Sequence, residues 1–193
     1  MFLFILLIKV ILASFYLIII LLTSFYLIGS FIAIIQTKWV PYVPSYDKDI
    51  ATMKEKLKLE NTWSIIDLGC WDGKALRFFV KNYWFKKAVG YDLNLPAILF
   101  WKFLNKSKKI KNVKLINKNF IWVDLVWYDY VFVYLLTEYL VKIEDYVFSS
   151  IGDNTIIISN AFKFKKHEPF EIIKDNYWKD RFMFYKKSDL YSQ

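Results

Sequence analysis

Ile65-Ile66-Asp67-Leu68-Gly69-Cys70-Trp71-Asp72-Gly73 is an apolar run that ends in an acid and then turns on two glycines. The residues that follow, Lys74-Ala-Leu-Arg-Phe-Phe-Val-Lys81, have amphipathic helical spacing over one or two turns. The stretch predicts a strand, a glycine turn and a helix start. Glycine lets a backbone approach a ligand closely, and a helix N-terminus offers free N–H groups. Further along, Ala88-Val-Gly-Tyr-Asp92 is a second short apolar strand ending in an acid. Asp92 follows Gly73 by 19 residues. An acid at about that distance, on the tip of the next strand, can accept both hydroxyls of a ribose.

Two cofactor classes use such a junction. Dinucleotide sites favour Gly-x-Gly-x-x-Gly, with a pyrophosphate at the helix start. Here the spacing is Gly69-x-x-x-Gly73, with Asp67 two residues before the first glycine. A carboxylate there repels a pyrophosphate and suits an amino group or a sulfonium. The pattern therefore favours S-adenosylmethionine over NAD. The plainer reading is an ordinary strand-turn-helix with Asp67 as a helix cap.

The composition divides the chain. Of 27 Lys+Arg and 18 Asp+Glu, only Lys9 falls within residues 1–37, so the remainder carries a net +8. A single Cys excludes an internal disulfide, and one Cys with one His makes a protein-only zinc site a poor fit. No metal is expected.

Val10–Ile35 holds 26 residues without a charge. A helix of that length covers ~39 Å, more than the ~30 Å hydrocarbon core of a bilayer. A tilted transmembrane helix fits better than a secretory signal, whose apolar region is ~7–15 residues long. Lys38, Lys48, Lys54 and Lys56 outnumber Lys9 on the other flank, which predicts a single-pass anchor (1–37) with the remaining domain in the cytoplasm. Residues 38–46 contain two prolines and read as a stiff, extended linker. Residues 47–193 are expected to form the folded domain. There, a helix runs from Ser45 or Asp47 to about Leu59, with Ile50, Met53 and Leu57 on one face.

The chain continues with a helix over Pro96–Asn105 and a basic run from Lys102 to Lys111. That run is a solvated helix end and loop, an attraction for anionic headgroups or, as a third option, a nucleic-acid groove. Strands follow at Val113–Ile116, Tyr130–Leu135, Thr155–Ser159 and Arg181–Lys186, with a helix at Leu140–Ser149 and a further helix at residues 121–128. The order predicts an α/β, Rossmann-like doubly wound sheet with ligands at the strand C-termini. Asp67, Gly69, Gly73, Asp92, Asn119 and the end of Tyr130–Leu135 all fall on that edge. At Asn119-Phe120 an amide and a ring could bond and pack an adenine. His167, in a basic loop without an evident partner, reads as solvated.

These residues resemble a known family. Pro41-Tyr-Val-Pro-Ser, Asp67-Leu-Gly-Cys-x-Asp-Gly, Lys86-Lys-Ala-Val-Gly-Tyr-Asp-Leu-Asn94, Asn119-Phe-x-x-Val-Asp-Leu125 and Leu135-Leu-Thr137 look like the small class I protein-lysine methyltransferases. These include the archaeal broad-specificity type and the mitochondrial enzymes acting on the ATP synthase c subunit and the adenine nucleotide translocase. The resemblance covers about residues 40–186. It implies cofactor contacts at Tyr42, Asp67, Gly69, Cys70, Gly73, Asp92, Leu93, Asn119 and Phe120. Trp71 stands where the family usually has Gly. A Trp there calls for a negative φ and a ring that points away from the cofactor or lines its pocket.

The reaction expected is displacement at a sulfonium methyl by a neutral lysine amine. A free lysine has a pKa of ~10.4, so the site must desolvate or deprotonate it. No dedicated base is evident. Tyr42, Tyr134, Thr137 and Glu138 are the candidates for the acceptor pocket. The expected substrate is a protein, in or near the lipid bilayer, and no nucleic acid is expected because no Asn/Asp-Pro-Pro-aromatic follows the fourth strand. The rival readings are a methyltransferase of a lipid or quinone and a non-catalytic adenosyl-binding membrane protein.

Overall fold

The computed structural model describes residues 1–36, 45, 47–60, 63–107 and 110–187. The linker and Tyr42 therefore lie outside the described residues, apart from Ser45. The first element, α1 (Phe2–Gln36), begins eight residues before the uncharged run and carries Lys9 within it. Its residues are apolar on every face, and only Ala33 is buried. One-sided packing cannot explain such a helix. By length and composition it could cross a membrane.

Seven strands form one sheet in the order β3-β2-β1-β4-β5-β7-β6. The strands β1 (Ser64–Leu68), β2 (Lys87–Asp92), β3 (Val113–Asn117), β4 (Tyr130–Val133) and β5 (Ile156–Asn160) run parallel. Every residue of β1 and β4 is buried, as the continuous apolar runs require of strands covered on both faces. At the far edge β7 (Asp180–Tyr185) is antiparallel to both β5 and β6 (Glu171–Lys174). The direction of winding reverses between β1 and β4, and open α/β sheets bind ligands at such a switch point.

Alternation along the strands sorts the core into two layers. Ile65, Phe132, Ile158 and Phe182 face α2 (Asp47–Lys56) and α3 (Lys74–Tyr83), packing with Met53, Leu57, Leu76 and Phe79. Ile66, Val131, Ile157 and Met183 face α5 (Thr137–Ser150), packing with Leu140, Ile143 and Val147. The remaining helix, α4 (Leu95–Ser107), joins β2 to β3 and packs against β3 and α1.

Several expectations need correction. The helix starting at Asp47 stops at Lys56; Leu57 N–H still donates to Met53 O, and its side chain is buried in the core. Residues 121–128 form turns with a lone bridge between Leu125 and Ile151, not a helix. Asn119 and Asp124 side chains accept the N–H groups of Ile121 and Val126, two residues on, which favours turns there. β6 was not foreseen, since its residues are mostly exposed and show no buried stripe.

His167 is not simply solvated. Its Nδ1 lies 2.9 Å from Glu144 Oε1, and its ring stacks on Phe148 with centroids 3.5 Å apart. Glu144 is fully buried on α5 and also accepts the backbone N–H groups of Lys165, Lys166 and His167. Burial alone would raise its carboxyl, but the His167 bond and the three amides hold it below the usual range. The cluster pins the β5–β6 connection to α5. Glu144→Ala would leave several donors without an acceptor, and we expect it to cost ~3 kcal/mol and to lower Tm by roughly 6–12 °C in a thermal melt.

Candidate functional site

The turn after β1 is built from left-handed backbone. Gly69, Trp71 and Gly73 have φ of 87°, 47° and 69°. At Gly73 glycine is required twice, because a Cβ would also fall 2.7 Å from Leu115 Cδ2. Trp71 lacks that freedom, and the negative φ expected for it is not what the structure has. A side chain in the left-handed region costs ~1–2 kcal/mol, so something must hold Trp71 in place. Its N–H donates to Asp92 Oδ2 at 2.8 Å, and its ring meets Tyr26 of α1 edge-on at 6.4 Å. The ring also lines the cleft described below.

Other bonds fix the rest of the turn. Gly69 and Cys70 both donate to Tyr91 O on β2, and Gly73 donates to Cys70 O. Asp72 Oδ1 accepts the Lys74 N–H at the start of α3. The Arg77 guanidinium reaches the Asp72 backbone and carboxyl and stacks over Trp101 of α4 at 4.0 Å. Lys74 Nζ bonds Ser45 O and Asp47 Oδ1, drawing the start of α2 to the turn.

A small cleft lies at this turn. Asp67, Gly69, Cys70 and Tyr134, which the sequence singled out, line it together, with Trp71. Ser45, Asp72, Ala75 and Phe132 also line it and were not singled out. Asp72 belonged to the quoted motif and could have been found there. Phe132 could have been found by counting two residues back from Tyr134 along the strand. Ser45 needed the Lys74 contact, which no local pattern shows.

The other candidates lie apart from the lining of this cleft. Asp92 stands behind the turn, where its Oδ2 accepts from Trp71 and its Oδ1 from Asn94 at 2.7 Å. A carboxylate has about four lone-pair positions, so Asp92 keeps capacity for ribose hydroxyls. Leu93 follows it, half-buried. Asn119 is exposed and occupied with its own turn. Phe120 is 6% exposed and packs edge-on against Tyr139, so its ring is part of the core and does not offer an adenine platform. Thr137 and Glu138 are exposed in the first turn of α5. Cys70 is buried, and burial pushes its thiol well above its ordinary value, which makes it a packing residue. No group of three or more His, Cys, Asp or Glu suited to a metal occurs among the described residues.

The electrostatics are lopsided. Asp67 is 3% exposed, and among the described residues no donor reaches its carboxyl. Burial first, then the Asp92 and Asp72 carboxylates, push it well above the usual carboxylate range. Burial also raises Asp92 and Asp72, against the opposing pull of their amide bonds and, for Asp72, of Arg77. Three crowded acids and a spare left-handed turn make a receptor for a cationic group.

Comparison with known proteins agrees with this geometry. A protein-lysine N-methyltransferase of Saccharolobus islandicus (strain REY15A) is 29% identical over 136 residues, covering 70% of this chain and 84% of that protein. An RNA methyltransferase of Salinibacter ruber, crystallised with S-adenosyl-L-homocysteine, superposes with a TM-score of 0.66 at 18% identity, covering 78% of this chain and 97% of its own. The YcgJ protein of Bacillus subtilis gives a TM-score of 0.51 at 11% identity, over 59% of this chain and 50% of its own. No family model matches. The fold is that of a class I methyltransferase.

The raised carboxyls of Asp67, Asp72 and Asp92 all contribute to the pH response of this fold. An acid protonated when folded and ionised when unfolded makes folding take up a proton, so stability falls as pH rises above the unfolded pKa of ~3.9. We expect Asp67→Asn to raise the ligand-free Tm at pH 8 by ~2–4 °C and to flatten its decline between pH 5 and 8 in scanning fluorimetry. The same change should weaken adenosylhomocysteine binding by ~10–100-fold in calorimetry, as loss of a charge-assisted contact does.

Proposed function

We propose that this protein is a membrane-anchored methyltransferase that uses S-adenosylmethionine to methylate lysine side chains of a protein. The observation that carries the reading is the buried Asp67 carboxyl, which no donor among the described residues reaches, beside a glycine turn at the switch point. S-adenosylmethionine brings a methyl group on a sulfonium and an α-amino group, both cationic. Asp67 would take the cationic end, the Gly69–Cys70 backbone its amino-acid portion, and Asp92 the ribose, with Leu93 and Asn119 towards the adenine. Tyr42 keeps its proposed contact, outside the described residues. Lysine as the target is supported by the name of the Saccharolobus relative and by the Leu135-Leu-Thr137 resemblance. The narrower likeness to the archaeal broad-specificity and mitochondrial types is part of this proposal, and the apolar α1 supports the anchor.

The acceptor side of the cleft has a residue that sequence reading did not raise. Asn160 ends β5, next after the Val133–Ser159 pair, and so sits beside Tyr134 on the sheet face of Asp67 and Phe132. It is fully buried, and neither atom of its amide has a partner. Such a group costs stability unless a ligand satisfies it. A lysine entering beside Tyr134, whose ring packs on Phe162 with centroids 6.2 Å apart, would meet apolar walls and one amide oxygen. Apolar walls favour the neutral amine and the oxygen orients its N–H, so alignment and water exclusion supply the help to reaction. Arg181, paired with buried Asp49 and set 5.7 Å over the Tyr134 ring, holds that wall in place.

The test is transfer of radiolabel from S-adenosylmethionine to membrane proteins with the full chain in vesicles. Label in lysine is expected, and label appearing only in lipid or RNA would overturn the substrate class. Asn160→Leu should leave Tm unchanged or higher and adenosylhomocysteine affinity unchanged, while raising KM for a lysine peptide roughly tenfold, the effect of losing one buried hydrogen bond.

A further inference from the structure

Among the described residues, much of the outer face of α4 is left uncovered. Leu95, Leu99, Phe100 and Phe103 are 40%, 46%, 57% and 68% exposed. Leu95, Leu99 and Phe103 recur at every fourth position and so form one stripe, and Lys102 and Lys106 lie along its border. Domains rarely leave such a contiguous apolar patch to water. The neighbouring element identifies what covers it.

That neighbour is α1, and it is docked rather than loosely tethered. A Cβ on Gly29 would fall 2.3 Å from Pro96 Cγ, so glycine is what allows the two helices to touch. Asn94 Nδ2 donates to Ser30 Oγ at 3.0 Å, and Tyr26 meets Trp71 at the cleft. In this same docked stretch the other side of α1 stays apolar and exposed, with Leu27, Ile28, Ile32 and Ile35 between 48% and 67% exposed. Whatever medium covers those residues extends down to the level of α4. At ~1.5 Å per residue the 35-residue helix is ~52 Å long, against a ~30 Å hydrocarbon core, so its docked end reaches the headgroup region.

We propose that the Leu95–Phe103 face of α4, continuous with the docked end of α1, rests in the headgroup layer of an anionic bilayer and holds the cleft at the membrane surface. Lys102 and Lys106 would meet lipid phosphates from the border of the stripe while their stems lie along apolar surface. The acceptor lysines would then be those within a few residues of a membrane surface. This rests on the anchored reading of α1, and the test separates the two.

Cys70 is buried, so single cysteines placed on the surface of the full chain can be spin-labelled selectively. Labels go at Leu99→Cys and Phe103→Cys, with Ile18→Cys in α1 and Glu171→Cys on β6 as references. The labelled chains are reconstituted in phosphatidylcholine–phosphatidylglycerol vesicles, with adenosylhomocysteine binding as the check on folding. Collision with oxygen and with an aqueous nickel chelate is then measured. Labels at 99 and 103 are expected to meet the chelate several-fold less than the label at 171, and more than the label at 18. Aqueous accessibility at 103 equal to that at 171, with 18 in lipid, would overturn the α4 proposal while leaving the anchor intact. Dipolar coupling between labels at 103 on two copies would overturn it in favour of a dimer face. A label at 18 exposed to the chelate would overturn the anchor and the proposal together.

Discussion

Three carboxyl groups crowded into one poorly solvated turn are the constraint on which the site depends. Asp67, Asp72 and Asp92 each sit higher than an ordinary acid, because burial penalises their charge. Asp72 has a nearby guanidinium and Asp92 has amides, but the described surroundings give Asp67 no donor. Proteins do not usually retain a buried acid in that condition for stability alone. A cationic ligand would favour the ionised form of this carboxyl, and that coupling is a preference for a cation. The sheet serves it by bringing β1 and β2 into parallel register, Asp67 opposite Gly90, so that both strand ends open on the same side.

Most of this was legible in the sequence because its cause is local. An acid, a glycine turn and a second acid at fixed spacing follow from chain geometry, and fully apolar runs identify strands covered on both faces. What could not be read depends on contacts between distant residues. The left-handed backbone at Trp71 is imposed by the Asp92 carboxylate and by Tyr26, 45 positions earlier in the chain. Asn160 falls one residue past the strand read at Thr155–Ser159, and its place beside Tyr134 depends on strand pairing. His167 looked isolated because its partner Glu144 lies 23 residues away on the opposite face of a helix–loop pair. β6 is an edge strand whose exposed residues carry no period that pattern reading could find.

The proposed acceptor side follows a different logic from the proposed cofactor side. The end read as the cofactor's is governed by charge, whereas the end read as the acceptor's is aromatic and apolar, with one unsatisfied amide at its margin. That division suits a reaction in which one partner is cationic throughout and the other must shed its charge before reacting. Neither end contains a cluster of His, Cys, Asp or Glu suited to a metal among the described residues, and the only histidine is engaged by the clasp on α5.

The edge-on meeting of Tyr26 with Trp71 has a practical consequence. Expression as a trimmed, water-soluble fragment is the usual way to study an enzyme whose leading helix is greasy. Cutting this chain after Gln36 would strip one supporting wall from the residue that most strains the ligand loop, and would bare Pro96 and Asn94 at the same stroke. Weak ligand affinity in such a fragment would then report the surgery, not the enzyme.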